Sequence, residues 1–203
     1  MMDNKSHWEQ VYAVKTPEEV SWTEAIPEKS LALIAACKLA KEASIIDIGG
    51  GDSLLVDHLI TLGYTNITVL DISANAIARA QKRLGEKADS ITWIVSDINT
   101  FKPTEKYDCW HDRAAFHFLT DPTAINHYVA LVSQYVSQYL ILGTFSKDGP
   151  KKCSGLDIQQ YDEASMTTVF EDGFNAIGFE HHIHHTPFDT TQNFIFGTFK
   201  LKS

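Results

Sequence analysis

The sequence predicts an α/β fold: a doubly wound, mostly parallel seven-stranded sheet with a reversed C-terminal hairpin. Three observations lead there. Short apolar runs that read as strands alternate with helix-periodic segments through residue 145. The first run, Ile45 to Ile48, meets three consecutive glycines, Gly49, Gly50 and Gly51, and then Leu54, Leu55, Leu59 and Ile60 at helical spacing. The last two runs, about 174–184 and 192–201, have only a turn region between them, so they must pair as a hairpin with one strand running against the sheet.

The elements follow in order. Trp8, Val11 and Tyr12 recur at helical spacing within 4–14, and 15–26 reads as irregular around Pro17 and Trp22. A helix with an apolar face is expected over 28–41. Ser44 to Ile48 form the first strand, and a helix over 52–62 stops at Gly63. Ile67 to Leu70 form the second strand, ending at Asp71. Ser73 can cap a helix from Ala74 to Leu84, which Gly85 ends. Ile91 to Val95 lead into Ser96 and Asp97, and Tyr107 to Trp110 form a short fourth strand. Pro122, a favoured first-turn residue, opens a helix to about Ser137. Tyr139 to Phe145 form the fifth strand, 146–160 a loop, and Asp162 can cap a helix over 163–171. With no repeat or Gly/Ser-rich linker, the expectation is one domain over 1–203, with 1–26 as an N-terminal cap over the site.

Composition narrows the function classes. A chain of 203 residues can bury a full core. A formal charge of −9, with no basic cluster larger than Lys151-Lys152, disfavours a nucleic-acid surface. No apolar run approaches the roughly 20 residues of a membrane helix. The polar start, MMDNKSHWEQ, lacks a signal-peptide apolar region. Cys37, Cys109 and Cys153 lack metal-like spacing and read as reduced thiols, so a cytoplasmic location is expected.

The glycine turn carries the chemistry. Glycines let the backbone approach a ligand, and the following helix start offers unpaired N–H groups. A dinucleotide fingerprint wants a third glycine where this chain has Leu54. The turn instead reads D-x-G-x-G, with Asp47 two residues before Gly49. A carboxylate there would repel pyrophosphate but could pair with an ammonium group. S-adenosylmethionine carries an amino acid at one end and no phosphate, so the pattern favours that cofactor. Ligands of open α/β sheets sit at the carboxyl ends of strands. Asp71 is there, 22 residues beyond Gly49, and can accept both ribose hydroxyls. Asp97 can take the adenine amine, with Ile72 and Ile98 packing the ring. Each aspartate alone could equally be a helix cap; together, at consecutive strand ends, they are far more specific.

On these residues the chain resembles the class I S-adenosylmethionine-dependent methyltransferases over nearly its whole length. The motif matches at Asp47, Gly49 and Gly51 and departs at Ser53, where many members have glycine. The resemblance implies ribose and adenine roles for Asp71 and Asp97, and the same reversed terminal hairpin. The segment YDCWHDRAAFHFL, Tyr107 to Leu119, and the HWEQVY segment, His7 to Tyr12, are similar to those of small methyltransferases. Some relatives of this layout methylate protein lysines, but their Asp-Lys-Gly-Thr-Phe motif is here Asp112, Arg113, Ala114, Ala115 and Phe116.

The expected activity is direct displacement of a methyl group onto a small-molecule or protein acceptor, where orientation and exclusion of water do most of the work. Asp112 and His117 are the catalytic candidates. For His117, as for His111, the bland reading is a structural histidine. Arg113 can bind the cofactor carboxylate or pair with an acid. Trp22 and Tyr12 are the aromatic site candidates, since a sulfonium is favoured against an aromatic face. His181, His182, His184 and His185 invite a metal reading, but no cysteine or acid adjoins them at the usual spacing, so no metal is expected. The competing readings are a protein-lysine methyltransferase, a non-catalytic S-adenosylmethionine-binding regulatory protein, and an NAD-dependent oxidoreductase. The missing third glycine and the hairpin disfavour the last.

Overall fold

The computed structural model describes residues 3–202. Its seven-stranded sheet has the order β3-β2-β1-β4-β5-β9-β8. These strands are β1 (Ser44–Ile48), β2 (Asn66–Asp71), β3 (Ile91–Val95), β4 (Tyr107–Arg113), β5 (Val136–Phe145), β8 (Phe174–His185) and β9 (Thr191–Leu201). Pairing is parallel from β3 across to β5. β9 then runs antiparallel to both β5 and β8, which is the expected reversed hairpin. The strand order reverses direction between β1 and β4, the switch point where an open α/β sheet leaves a crevice.

Six helices accompany the sheet among the described residues: α1 (Asn4–Val14), α2 (Glu28–Ala36), α3 (Leu55–Thr61), α4 (Ala74–Leu84), α5 (Pro122–Tyr135) and α6 (Glu163–Phe170). None is long and apolar enough to cross a membrane. The two cores follow from strand alternation. Ile45, Cys109 and Ile141 point to one face and pack with Leu33 and Ile34 of α2 and Leu55, Val56 and Leu59 of α3. Ile46, Trp110, Leu140 and Leu142 point to the other and pack with Tyr128, Leu131 and Val132 of α5 and Met166 and Phe170 of α6.

Local chemistry sets the boundaries. Asp3, Ser73, Asp121 and Asp162 cap α1, α4, α5 and α6, each accepting from backbone N–H groups of the first turn. α2 ends earlier than its apolar spacing suggests, because Lys38 takes φ 51° and breaks the helical path. α3 starts only at Leu55, since the preceding residues form the glycine turn and the Ser53 hydroxyl accepts from Leu55 N–H at 3.1 Å. β4 runs three residues beyond Trp110. It is held by β1 through Asp112 and by β5 through Arg113, so the strand continues along His111, Asp112 and Arg113. The 146–160 loop contains a small hairpin, β6 (Lys152–Cys153) with β7 (Leu156–Asp157). Ser154 and Gly155 turn it with φ 50° and 81°, the left-handed pair a two-residue hairpin requires.

Candidate active site

A cavity of about 670 Å³ opens at the carboxyl ends of β1, β2, β3 and β4. The glycine turn forms its floor. Gly49 has φ +69°, a conformation that glycine adopts without strain. The N–H groups of Gly49 and Gly50 both donate to the Leu70 carbonyl, at 2.8 and 3.3 Å, which stitches the turn to the end of β2. Gly51 sits behind this wall. A Cβ there would lie 2.6 Å from both the Ala76 Cβ and the Asp71 Oδ2. Its N–H donates to that oxygen at 3.0 Å, and Ser73 N–H donates to Oδ1 at 2.8 Å. The Asp71 carboxylate is therefore fixed in orientation while each oxygen keeps a further acceptor site toward the cavity. Burial pushes its pKa up to about 6 against those two hydrogen bonds, with Asp47 and Glu9 adding repulsion.

Asp97 closes the next strand end. Its Oδ1 accepts from the Asn99 backbone and side-chain N–H groups, at 2.9 and 3.0 Å, leaving Oδ2 unengaged by hydrogen bonds. Ile72 and Ile98 line the same part of the cavity. Two acids at consecutive strand ends, with the apolar Ile72 and Ile98 beside them, thus face one cavity. Arg79 and Arg83 also line the cavity but are spent on protein partners. Arg83 meets Asp52 and Asp57, each at 2.9 Å, and Arg79 meets Asp52 at 3.4 Å and the Lys15 carbonyl.

Register explains the other end. Asp47 on β1 lies opposite His111 on β4, so their side chains share a face. His111 Nδ1 is 2.7 Å from Asp47 Oδ1, and Nε2 is 2.9 Å from the Ser30 hydroxyl at the start of α2. The other Asp47 oxygen packs against Gly50. Two residues further on, Arg113 shares the His111 face. It donates to the Trp22 carbonyl at 3.0 Å, meets Glu24 at 3.1 Å, and lies over the Phe194 ring at 4.9 Å.

The N-terminal segment lies over these strand ends. Glu9 of α1 accepts from the Ser73 hydroxyl and from the N–H groups of Ala74 and Asn75, at 2.8, 2.8 and 3.1 Å, so it supplements the cap of α4. Burial works against its charge, but these donors win and hold its pKa below the usual glutamate value. Trp8 packs edge-on to Trp22 and Phe118, with Tyr12 beside Trp22, forming an aromatic wall. Glu24 also meets His184 of β8 at 3.2 Å, and His184 Nε2 is 2.7 Å from the Ser21 carbonyl. His182, on the same face, is 3.8 Å from Glu24. These two histidines thus bind the N-terminal segment, while His185 lines the cavity.

Of the residues anticipated from sequence, Tyr12, Trp22, Asp47, Gly49, Gly50, Asp71, Ile72, Asp97, Ile98 and Arg113 all line this one cavity. Three do not: Gly51, which stands behind the turn against Asp71 and Ala76, and Asp112 and His117, both of which lie elsewhere and require correction. Asp112 has opposite strand parity to His111 and Arg113, so it points to the α5 face. There it is wholly buried, accepting from Ala115 and Phe116 N–H, both at 3.0 Å, and from the Tyr128 hydroxyl at 2.8 Å. It fastens the turn after β4 rather than facing a methyl donor. His117 is also wholly buried, edge-on to Phe118 and tilted against Phe145. Burial and then Arg113 push its pKa down to about 3, so it stays neutral. Ser30, Glu9 and Glu24 carry no local signal in the sequence, and His111 stands open there between an acid–base and a structural role. The signal for His111 was the alternation of the His-Asp-Arg triplet, which the strand resolves.

Comparison with known proteins agrees with this geometry. Residues 45–134 match the family model described as a methyltransferase domain. Two curated relatives from Ilyobacter polytropus are similar: malonyl-[acyl-carrier protein] O-methyltransferase 1, 27% identical over 94 residues, and malonyl-[acyl-carrier protein] O-methyltransferase 2, 26% identical over 107. The matches cover 45% and 52% of this chain but only 35% and 40% of those proteins. Among solved structures, an S-adenosylmethionine-dependent methyltransferase from Anabaena variabilis superposes with a TM-score of 0.78 at 13% identity, over 100% of this chain and 96% of its own. The N-methyltransferase NodS of Bradyrhizobium japonicum, in complex with S-adenosyl-L-homocysteine, gives 0.73 at 15% identity, over 99% and 100%. At these identities the structural likeness is one of fold.

Proposed function

We propose that this chain is a class I S-adenosylmethionine-dependent methyltransferase, with S-adenosylmethionine as its cofactor, and that it transfers the methyl group to a small-molecule acceptor held between the glycine turn and the N-terminal segment; the methyltransferase-domain match over residues 45–134 and the likeness of fold support this. The observation that carries this reading is the convergence of Asp47, the glycine turn, Asp71 and Asp97 on one cavity whose arginines are already paired. That arrangement suits a nucleoside with an amino-acid tail, and among the described residues the arginines of the cavity are already engaged rather than open to a pyrophosphate.

When bound, the cofactor supplies a methyl group on a sulfonium carbon. The chain's residues orient and dry the site. Asp71 accepts the ribose hydroxyls, Asp97 the adenine amine, and Ile72 and Ile98 pack the ring. Arg113, fixed by Glu24 and the Trp22 carbonyl, sets the edge of the pocket beyond the turn. Trp8, Tyr12, Trp22 and Phe118 give the acceptor an aromatic wall and keep water out. We take residues 3–26 as a cap within a single domain; residues 1 and 2 of the expected cap lie outside the described residues. A cap pinned at Glu9 and Glu24 supports a small acceptor over a lysine on a folded protein, because the site is covered by the chain's own residues.

The test is incubation of the purified chain with methyl-labelled S-adenosylmethionine and a cell extract, followed by separation of protein from small molecules. Label in the small-molecule fraction is expected. Label confined to protein would move the reading to a protein methyltransferase, and no enzyme-dependent transfer would contradict it.

A further inference from the structure

Ser30, His111 and Asp47 come from three separate elements and form one hydrogen-bonded line at the cavity wall. All three are nearly excluded from solvent, at 1%, 2% and 3% exposure, yet all three line the cavity. With Asp47 ionised and His111 neutral, charge sets the direction of the line. An ionised Asp47 only accepts, so His111 Nδ1 carries the proton and donates to it. Nε2 is then bare and accepts from the Ser30 hydroxyl. This is a hydroxyl with an oriented base behind it, the arrangement that lets a buried hydroxyl exchange its proton. Sheet packing does not need it. A β4 strand with an apolar residue at 111 and an apolar α2 would bury the same face without the cost of burying Ser30 and His111.

We propose that Ser30 and His111 form a proton relay that deprotonates the methyl acceptor, with Asp47 as the positioning residue. The inference rests on the methyl-transfer reading and deepens it. The acceptor it implies carries a proton on its nucleophilic atom, as a hydroxyl or an amine does, and is not a carboxylate. The acceptor atom forms its bond to the methyl carbon while the carbon–sulfur bond breaks and its electron pair returns to sulfur. The acceptor's proton passes to Ser30 Oγ as the hydroxyl's own proton passes to His111 Nε2. The resulting imidazolium is held by Asp47 and releases its proton to solvent when the cavity opens.

The charged and titratable groups around His111 are few. Asp47 faces it from β1, and Asp112 and Arg113 flank it on β4. Glu24 neutralises Arg113, Asp71 lies across the glycine turn from Asp47, and Cys109 and Cys153 are thiols raised by burial. Arg113 is the fixed cation among them and is paired with Glu24, so a sulfonium bound at the cavity would be a new, unpaired cation against the relay.

The experiment follows the ring Cε1–H resonance of His111 by NMR in the full chain, assigned by its absence from His111→Gln. The chain is saturated first with S-adenosylhomocysteine, which is neutral at sulfur, and then with S-adenosylmethionine. If the relay faces the transferred methyl, the titration midpoint falls by about one pH unit with the sulfonium form. Equal midpoints in the two forms would overturn the proposal. In a second arm, single-turnover transfer is measured with the small-molecule fraction of a cell extract. Ser30→Ala is expected to slow it about 100-fold, Ser30→Thr to retain most of the rate, and His111→Gln to remove its rise with pH. An unchanged rate in Ser30→Ala, with thermal melts showing a folded variant, would also overturn it. Failure of both cofactor forms to bind would instead overturn the methyl-transfer reading, and the relay with it.

Discussion

Glu24 and Arg113 meet at 3.1 Å, both largely buried, and through this pair the N-terminal segment is fixed to the centre of the sheet. Glu24 reaches His184 of β8 as well, so one carboxylate joins the segment to two strands. Burial opposes its charge, but His184, Arg113 and His182 together hold its pKa below the ordinary glutamate value.

Glu24→Gln should therefore destabilise the chain by about 3 kcal/mol, the cost of leaving a buried cation without its partner. A depressed carboxylate pKa stabilises above the unfolded value and loses that contribution as pH falls through the folded one. The wild type should thus lose more stability than Glu24→Gln on acidification. Urea denaturation of both proteins, at neutral and acid pH, measures this. Equal losses would remove Glu24 from the clasp.

Asp71 gives the opposite sign. Its pKa is raised to about 6, mainly by burial, so ionising it costs folding stability between the ordinary aspartate value and about pH 6. Cofactor binding needs the ionised form, so affinity for S-adenosylhomocysteine should fall about tenfold from neutral pH to about pH 5. Asp71→Ala should weaken binding by about 1.5–3 kcal/mol, the scale of charged hydrogen bonds, and flatten that dependence. Calorimetric titration across pH tests both. A folded Asp71→Ala variant with unchanged affinity would place the ribose elsewhere.

Asp112→Ala should behave as a core lesion. It strands two backbone N–H groups and the Tyr128 hydroxyl, which itself accepts from the Trp110 indole N–H at 3.0 Å. A loss of about 2–4 kcal/mol is expected, while cofactor affinity, measured below the melting transition, changes little. A variant that melts normally but no longer transfers methyl groups would return Asp112 to the catalytic site.

The fold was legible because alternating strands and helices, caps at Ser73, Asp121 and Asp162, and the uninterrupted terminal hairpin are local signals with one consistent global solution. The convergence of Asp47, Asp71 and Asp97 on one cavity was legible for the same reason: each lies at or just beyond the carboxyl end of a strand. What was not legible depended on strand parity and long-range contact. Reading β4 as ending at Trp110 left the directions of His111, Asp112 and Arg113 open, and Asp112 was placed on the wrong face. Ser30 lies 81 residues from His111 in sequence, and no local pattern joins them. Glu9 and Glu24 look like ordinary surface acids until the cap folds over α4 and β8.

Gly51→Ala separates the turn from the acids it carries. The added Cβ would crowd both Ala76 and the Asp71 carboxylate at 2.6 Å, so Asp71 must rotate or the turn must shift. Affinity for S-adenosylhomocysteine should drop at least about tenfold, with about 1–3 kcal/mol lost in stability. Gly155→Ala, at a hairpin tip where a Cβ meets nothing within 4 Å, should leave the affinity unchanged. Side-by-side titrations of the two variants check the contrast, and equal affinities would mean the turn does not form the site.

The most direct test of the central claim is calorimetric titration of the purified chain with S-adenosylhomocysteine and, separately, with NAD. The cradle of Asp47, the glycine turn, Asp71 and Asp97 predicts stoichiometric binding of S-adenosylhomocysteine that is weakened in Asp71→Ala, and no saturable binding of NAD. Saturable NAD binding with no response to S-adenosylhomocysteine would contradict the account.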